Sequence, residues 1–379
     1  MRLHIAIIIP YVQGIFGQRI PLTYANKLSE GHRVDLIVYK INRPVLEEVR
    51  NFVSTRVNLK IMKIRDGEGL EFPYSIKYMY CGLVDYSLSL ILRKIHRTDP
   101  YDAILIITGG EGAWIPAIMK GMHLKKGPKF FFLPMDPPHG IDPVKYDRIL
   151  EHHISKKERV WIAALRVFHK RRLKGFDYIL EQSTWTSRIF ESIYHVDTCG
   201  IPYILIDEER FSIRVSGGST KYIAVPTVDL YSQEDIELIK KLNKDGIPMV
   251  LFGHRKIEGL TNRGYVSEDE LIDIIGNASA TLFLFHFESF GLIPLESLAV
   301  GTPVITQPKL APRLEWRDNK FVKFFNDYDE CLKACREFLR NDLTIQQREK
   351  VRESVEQYFT KNVLRRFEEF MLTECVSRS

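Results

Sequence analysis

Hydrophobic positions in this chain fall into two successive series of short runs, separated by stretches of helical period. The first series is "LHIAIII", "RVDLIVY", "VNLKIMKI", "DAILIIT", "KFFFL" and "DYIL". Amphipathic segments between such β-branched and aromatic runs predict βαβ units around a parallel sheet. After "GIPYILIDEERF" comes the Gly/Ser-rich "SIRVSGGST", which reads as a linker. The alternation then resumes with "KYIAV", "IPMVLF", "ATLFLF", "PVIT" and "KFVKFF". The closing stretch, "IQQREKVRESVEQYFTKNVLRRFEEFMLTE", is helical by pattern and holds no strand.

The pattern therefore predicts an α/β protein with two doubly wound, Rossmann-like domains, 1–205 and 206–355, and a terminal helix in 356–379. Ligands of open parallel sheets bind beyond the carboxyl ends of the strands, so a cleft facing both sets of strand ends is the expected site.

Composition narrows the class. A chain of 379 residues, 45% hydrophobic and 27% charged, is that of a globular protein rather than a disordered one. No run approaches the roughly 18 to 20 apolar residues needed to span a bilayer. "MRLHIAIIIP" leads into a turn without a cleavage site, so it reads as a buried first strand. The 5 cysteines are scattered, and Cys331 and Cys335 have helical spacing with no second Cys or His pair beside them. Free thiols, a cytoplasmic setting and no metal are expected.

Two glutamates stand out in "FHFESFGLIPLESLAVGTPVI". "ATLFLF" is a buried strand, "HFESFG" the loop at its carboxyl end, and "IPLESLAV" a short helix with Pro294 suited to its first position and Gly301 to its C-cap. Glu288 then lies in the loop and Glu296 in the helix. The N–H groups opening that helix can seat a phosphate, and Gly291 allows close approach. A carboxylate can accept hydrogen bonds from adjacent hydroxyls of a sugar or ribose. Taken singly, Glu296 reads first as a surface helix residue and Glu288 as a capping acid.

The whole string "FESFGLIPLESLAVGTPVI" resembles the signature of the retaining glycosyltransferases of family 4, with Glu, seven residues, Glu, a small-residue helix and Gly-Thr-Pro-Val. Further stretches resemble the same family: "GIFGQRIPLTYANKLSEGHRVDLIVYK", "FDYILEQSTWTSRIFE", "IPYILIDEERF" and "NRGYVSEDELIDIIGNASATLFLF". The resemblance implies the GT-B fold, with the final helix packing back on the N-terminal domain. It implies that Glu288 holds hydroxyls of the donor sugar and Glu296 the ribose hydroxyls. It places the backbone of Phe290, Gly291 and Leu292 against the sugar and diphosphate, and Gly14 and Gly17 on the opposite wall. Those two glycines read equally as a plain strand-to-helix turn.

Family members usually open the second domain with Gly-Arg and, soon after, Lys-Gly, whose cations neutralise the donor diphosphate. Here the stretch is "KYIAVPTVDLYSQEDIELIKK", which has neither pair. "LFGHRKIEG" offers His254, Arg255 and Lys256 directly after a strand, either as the substitute or as a solvated basic turn; Arg19 and Lys309 are the next candidates. In "KFFFLPMDPPHG" the nearest equivalents of a sugar-contacting histidine are Asp136 and His139, with His139 the better one. In "ITGGEGAW", Glu111 can meet the acceptor or cap the next helix.

The expected reaction is metal-independent transfer, with retention, from a UDP- or GDP-linked sugar to a glycan, lipid-linked or protein acceptor. No cofactor beyond that co-substrate is expected. The alternative is a degenerate member that binds nucleotide or glycan without turnover. Net charge is +6, and residues 156–175, "KKERVWIAALRVFHKRRLKG", hold eight Lys or Arg against one Glu beside Trp161. That segment fits an anionic membrane surface or a solvated domain helix. Nucleic acid ranks lower, because no recognition motif accompanies it.

Overall fold

The computed structural model describes residues 1–12, 18–65, 74–108, 115–122, 127–134, 170–214, 221–228, 230, 232–285, 288–341 and 343–376. The chain divides into two compact units. The first comprises Met1–Gln182, Thr186–Ile204 and Val363–Ser379, and the second Ser183–Trp185 and Leu205–Asn362.

In the first unit, β1 (His4–Val12), β2 (Arg33–Asn42), β3 (Asn58–Arg65), β4 (Ala103–Thr108), β5 (Lys129–Pro134) and β6 (Tyr178–Ile179) form one parallel sheet in the order β3-β2-β1-β4-β5-β6. The helices are α1 (Arg19–Leu28), α2 (Arg43–Phe52), α3 (Tyr74–Thr98), α4 (Ile115–Gly121) and α5 (Thr184–Ile189), whose first two residues group with the second unit. All six strands fall where the apolar runs predict them. Ile5, Ile7 and Ile8 of β1 are fully buried, as expected of a central strand covered on both faces.

Chain reversal is set by the hand of the βαβ unit. The chain moves from β1 outward through β2 and β3, then returns to β4 on the other side of β1, so the topological switch point lies between β1 and β4. The opposite, amino end of this sheet is closed by a polar cluster. Buried Asp35 accepts hydrogen bonds from Lys60 Nζ (2.6 Å), Tyr101 Oη (2.7 Å) and Asn58 Nδ2 (2.9 Å). Burial pushes its carboxyl up, but these three donors outweigh it and hold the pKa below the usual range. This network fastens β2 to β3 and to the start of β4.

The second unit has β7 (Ile223–Pro226), β8 (Met249–Phe252), β9 (Ala280–Phe283), β10 (Val304–Thr306) and β11 (Val322–Phe324), all parallel, in the order β11-β10-β9-β7-β8. Its helices are α6 (Gln233–Lys244), α7 (Glu268–Gly276), α8 (Leu292–Ala299), α9 (Leu310–Glu315), α10 (Tyr328–Arg340) and α11 (Ile345–Glu353). Helix starts follow the capping signals: Ser232 accepts from Asp235 N–H, and Ser267 with Glu270 forms a capping box. Here the switch point lies between β7 and β9, because β8 is laid on one side of β7 and β9 on the other.

The last helix, α12 (Thr360–Val376), delivers Phe367 to the first unit's core, with the half-buried Phe370 beside it. Phe367 meets Tyr24 and Phe131 edge-on at 5.4 and 5.9 Å, and Phe370 meets Tyr178 at 5.0 Å. Its Glu368 lies 3.0 Å from His32 Nε2. Among the described residues no helix is long and apolar enough to cross a membrane.

Candidate functional site

The site is built where β9 runs out beside the switch point. Phe283 and Phe285 stack at 5.1 Å and carry the buried strand to its carboxyl end. Glu288 follows, half-buried, and its Oε1 accepts the Phe290 N–H at 3.0 Å, which closes the turn in the manner of a capping acid. Gly291 is the N-cap of α8 with φ +103°, a conformation L side chains rarely adopt. A Cβ there would also meet Pro294 Cγ and Trp316 Nε1, each at 3.2 Å. Glycine is required at this position on both counts.

Helix α8 differs in detail from its sequence reading. It begins at Leu292, so Pro294 is the third helical residue rather than the first. Proline is tolerated there because the first four N–H groups of a helix have no intrahelical acceptor. The first backbone bond into the helix runs from Leu295 N–H to Gly291 O at 3.2 Å, leaving the Leu292 and Ile293 N–H groups at the open end. The C-cap is Val300, and Gly301 follows it with φ +82°.

Glu296 is half-buried within α8, and several contacts fix the helix that carries it. Ser297 Oγ hydrogen-bonds with Thr281 Oγ1 of β9 at 2.8 Å. The buried Arg348 guanidinium donates to Gly276 O, Ala278 O, Gly301 O and Thr302 Oγ1 at 3.0 to 3.4 Å. It thereby ties the carboxyl ends of α7 and α8 together. A Cβ on Gly301 would lie 2.8 Å from Arg348 Cβ, so the clamp needs that glycine.

The turn before α8 rests on an aromatic cluster. The Phe290 ring is buried and meets Trp316 at 5.5 Å and Tyr358 at 5.2 Å, while Leu292 is exposed. Ser183 Oγ donates to Ser289 O at 2.6 Å, pinning the turn from another side. Ser183 and Trp316 were not singled out as contributors to the turn by sequence reading. Ser183 lies in the "EQSTW" string that marks the family resemblance, but nothing local in "LEWRD" points Trp316 at Gly291.

The candidate cations occupy different ground. His254, Arg255 and Lys256 are all exposed on the turn after β8, the edge strand. His254 stacks on Tyr265 at 5.9 Å, and the Arg255 carbonyl accepts from Asn262 Nδ2 at 2.7 Å. Lys309 instead follows β10 and is half-buried. Gly14, Gly17, Glu111, Asp136 and His139 lie outside the described residues, as do residues 156–169 of the basic segment. In the part that is described, Arg172 and Leu173 are buried, so that end does not present a wholly solvated face.

Two parallel, doubly wound sheets, the second with a carboxylate-bearing turn and helix at its switch point, define the GT-B class. Residues 255–358 match the model of the family described as glycosyl transferases group 1. The chain is a glycosyltransferase, and over those residues it is similar to that family. No curated protein matches its sequence. Among solved structures it is similar to a sucrose-phosphate synthase from Thermosynechococcus elongatus, with TM-score 0.70, 14% identity and 100% of both chains covered. A glycosyltransferase from Rickettsia africae ESF-5 gives TM-score 0.71 at 14% identity, again over 100% of both chains. Anabaena Alr3699/HepE in complex with UDP-glucose gives TM-score 0.63 at 10% identity, covering 98% of this chain and 100% of that one. At such identities these likenesses speak for the fold.

Proposed function

We propose that this glycosyltransferase moves a sugar from a UDP- or GDP-linked donor to a hydroxyl of a glycan, lipid-linked or protein acceptor, with retention and without a metal ion. The observation that carries the reading is that Glu288 and Glu296 sit on the one turn and helix leaving β9 at the β7/β9 switch point. Glu296 holds the ribose hydroxyls and Glu288 hydroxyls of the donor sugar. The N–H groups of Leu292 and Ile293, at the positive end of α8, receive the diphosphate. His139 as the sugar contact, Asp136 and Glu111 as acceptor-side groups, and Gly14 and Gly17 in the first loop belong to the same reading.

In the reaction, the bond from the anomeric carbon to the diphosphate oxygen breaks, and its electron pair leaves with the diphosphate. The acceptor oxygen bonds to the anomeric carbon from the same face. Its proton passes to the departing diphosphate oxygen. No carboxylate becomes a covalent nucleophile in this scheme. The protein orients both substrates and stabilises charge that grows on the leaving group. Anionic lipid at residues 156–175 is a further partner in this reading.

Calorimetry with UDP and GDP tests the core of it. Glu296→Ala weakens the diphosphate that the wild type binds by about 1.5–3 kcal/mol, the worth of a charge-assisted hydrogen bond. Glu288→Ala chiefly lowers turnover. Unchanged affinity in Glu296→Ala removes the assignment. The turn after β7, "PTVD", lacks the family's Gly-Arg, and this favours a second reading as a binder without turnover. Donor hydrolysis measured without acceptor separates the two.

A further inference from the structure

A donor diphosphate brings charge that must be met at the switch point, and the segment after β10 carries a lysine to the end of the β9 run. The segment after β10 crosses the carboxyl end of β9 to the element that follows β7: Gln307 Nε2 donates to Asp235 Oδ1 at 3.1 Å, and Asp235 lies in the first turn of α6. Lys309 is carried on that segment, immediately before Leu310, a non-glycine residue at φ +51° that turns the chain into α9. Its Nζ stands 5.0 Å from the ring centroid of Phe285, the residue that closes the β9 run. The ammonium is therefore held at the end of the β9 run, on the segment that reaches across to the first turn of α6.

The electrostatics of this lysine are those of a cation without a full partner. Burial pulls its pKa down, and the carboxylates of Asp235 and Glu234 push the other way. Neither forms an ion pair with it, and among the described residues no carboxylate lies within ion-pair distance of its Nζ. A half-buried ammonium in that condition loses hydration that Asp235, Glu234 and the Phe285 ring return only in part. A dianionic group arriving from solvent offsets the loss.

We infer that Lys309 is the cation that meets the donor diphosphate, replacing the arginine and lysine that the family places after the first strand of its second domain; this rests on the nucleotide-sugar reading above. The α8 amides take the diphosphate from one side and the Lys309 ammonium from across the end of β9. Lysine suits the position as a compact point charge whose ammonium stands over the Phe285 ring.

The test is calorimetry of UDP, GDP, uridine and guanosine against wild type, Lys309→Met, Lys309→Arg and Glu296→Ala. Lys309→Met keeps an unbranched side chain of similar bulk and removes the ammonium, so it is preferred to Lys309→Ala, and unchanged thermal unfolding verifies that it folds. It should bind the diphosphate that the wild type prefers about tenfold to a hundredfold more weakly, with the matching nucleoside bound as before. Lys309→Arg should recover most of the loss. Glu296→Ala should weaken nucleoside and diphosphate alike. Wild-type affinity for the diphosphate in Lys309→Met, or an equal loss for the nucleoside, overturns the inference while leaving the nucleotide site standing. A folded wild type that binds neither UDP nor GDP overturns the nucleotide reading and this inference with it.

Discussion

The turn after β8 and the segment after β10 both bring positive charge to the carboxyl end of the second sheet, and they differ in almost everything else. The first offers His254, Arg255 and Lys256 in a row, directly behind a strand. The second offers Lys309 alone. Yet β8 is the edge strand, and its three basic side chains are exposed, whereas β10 neighbours β9 and its following segment reaches across to Asp235 after β7. Strands in a sheet stand about 4.8 Å apart. Since β8 flanks β7 as β10 flanks β9, a side chain's reach to the switch point is decided by where the segment after its strand runs, and not by the rank of the strand. Density of charge along the chain says little about it.

Both segments face the same helix, α8, at the end of β9, and the support of that helix is the most damaging place to strike. Arg348→Ala should cost at least about 3 kcal/mol, since buried acceptors left without a donor cost about 1–3 kcal/mol each. Urea unfolding of the variant reads this directly. A loss below about 1 kcal/mol would show that the Ser297–Thr281 contact and the aromatic cluster hold the helix unaided.

A finer test uses protonation. The charged form of Lys309 binds the diphosphate, so the bound state favours the proton and affinity must fall as pH rises through the lysine's free-state pKa. Burial, opposed by Asp235 and Glu234, puts that pKa below the ordinary lysine value of about 10.4, so the decline begins earlier than for an exposed lysine. Its limit is about tenfold per pH unit for one proton. Calorimetry with UDP or GDP from neutral to alkaline pH should show this in the wild type and lose it in Lys309→Arg, whose guanidinium stays charged. The same decline in the Arg variant would transfer the titration to another group.

The smallest effect belongs to the edge strand. The Arg255→Ala, Lys256→Ala double variant should change diphosphate affinity by no more than about 0.5 kcal/mol, as befits exposed residues away from buried networks. A loss as large as that of Lys309→Met would reverse the comparison and return the role to the β8 turn.

Much of this architecture was legible in the sequence. Each of the eleven strands coincides with a run picked out by its apolar character, because a parallel strand buried on both faces must be nearly continuous in hydrophobic residues. Glu288 in a turn and Glu296 in the next helix were equally legible, since Gly291 and the apolar stretch behind it mark where β9 ends and α8 starts. Helix limits were less so. Pro294 is compatible with the first helical position and with the third, and propensity alone does not choose between them.

The sequence by itself determined the alternation of strand and helix, the burial of both sheets and the presence of two carboxylates on one turn and helix, because these follow from local period and capping. Only the tertiary structure decided which elements become neighbours. That Trp316 packs behind Gly291, that Ser183 pins the Ser289 carbonyl, that Arg348 clamps the ends of α7 and α8, and that Lys309 rather than Arg255 stands beside the switch point are all contacts between residues distant in the chain. Strand order creates them: it depends on how the apolar faces of all the βαβ units bury one another at once, and no local stretch carries that information.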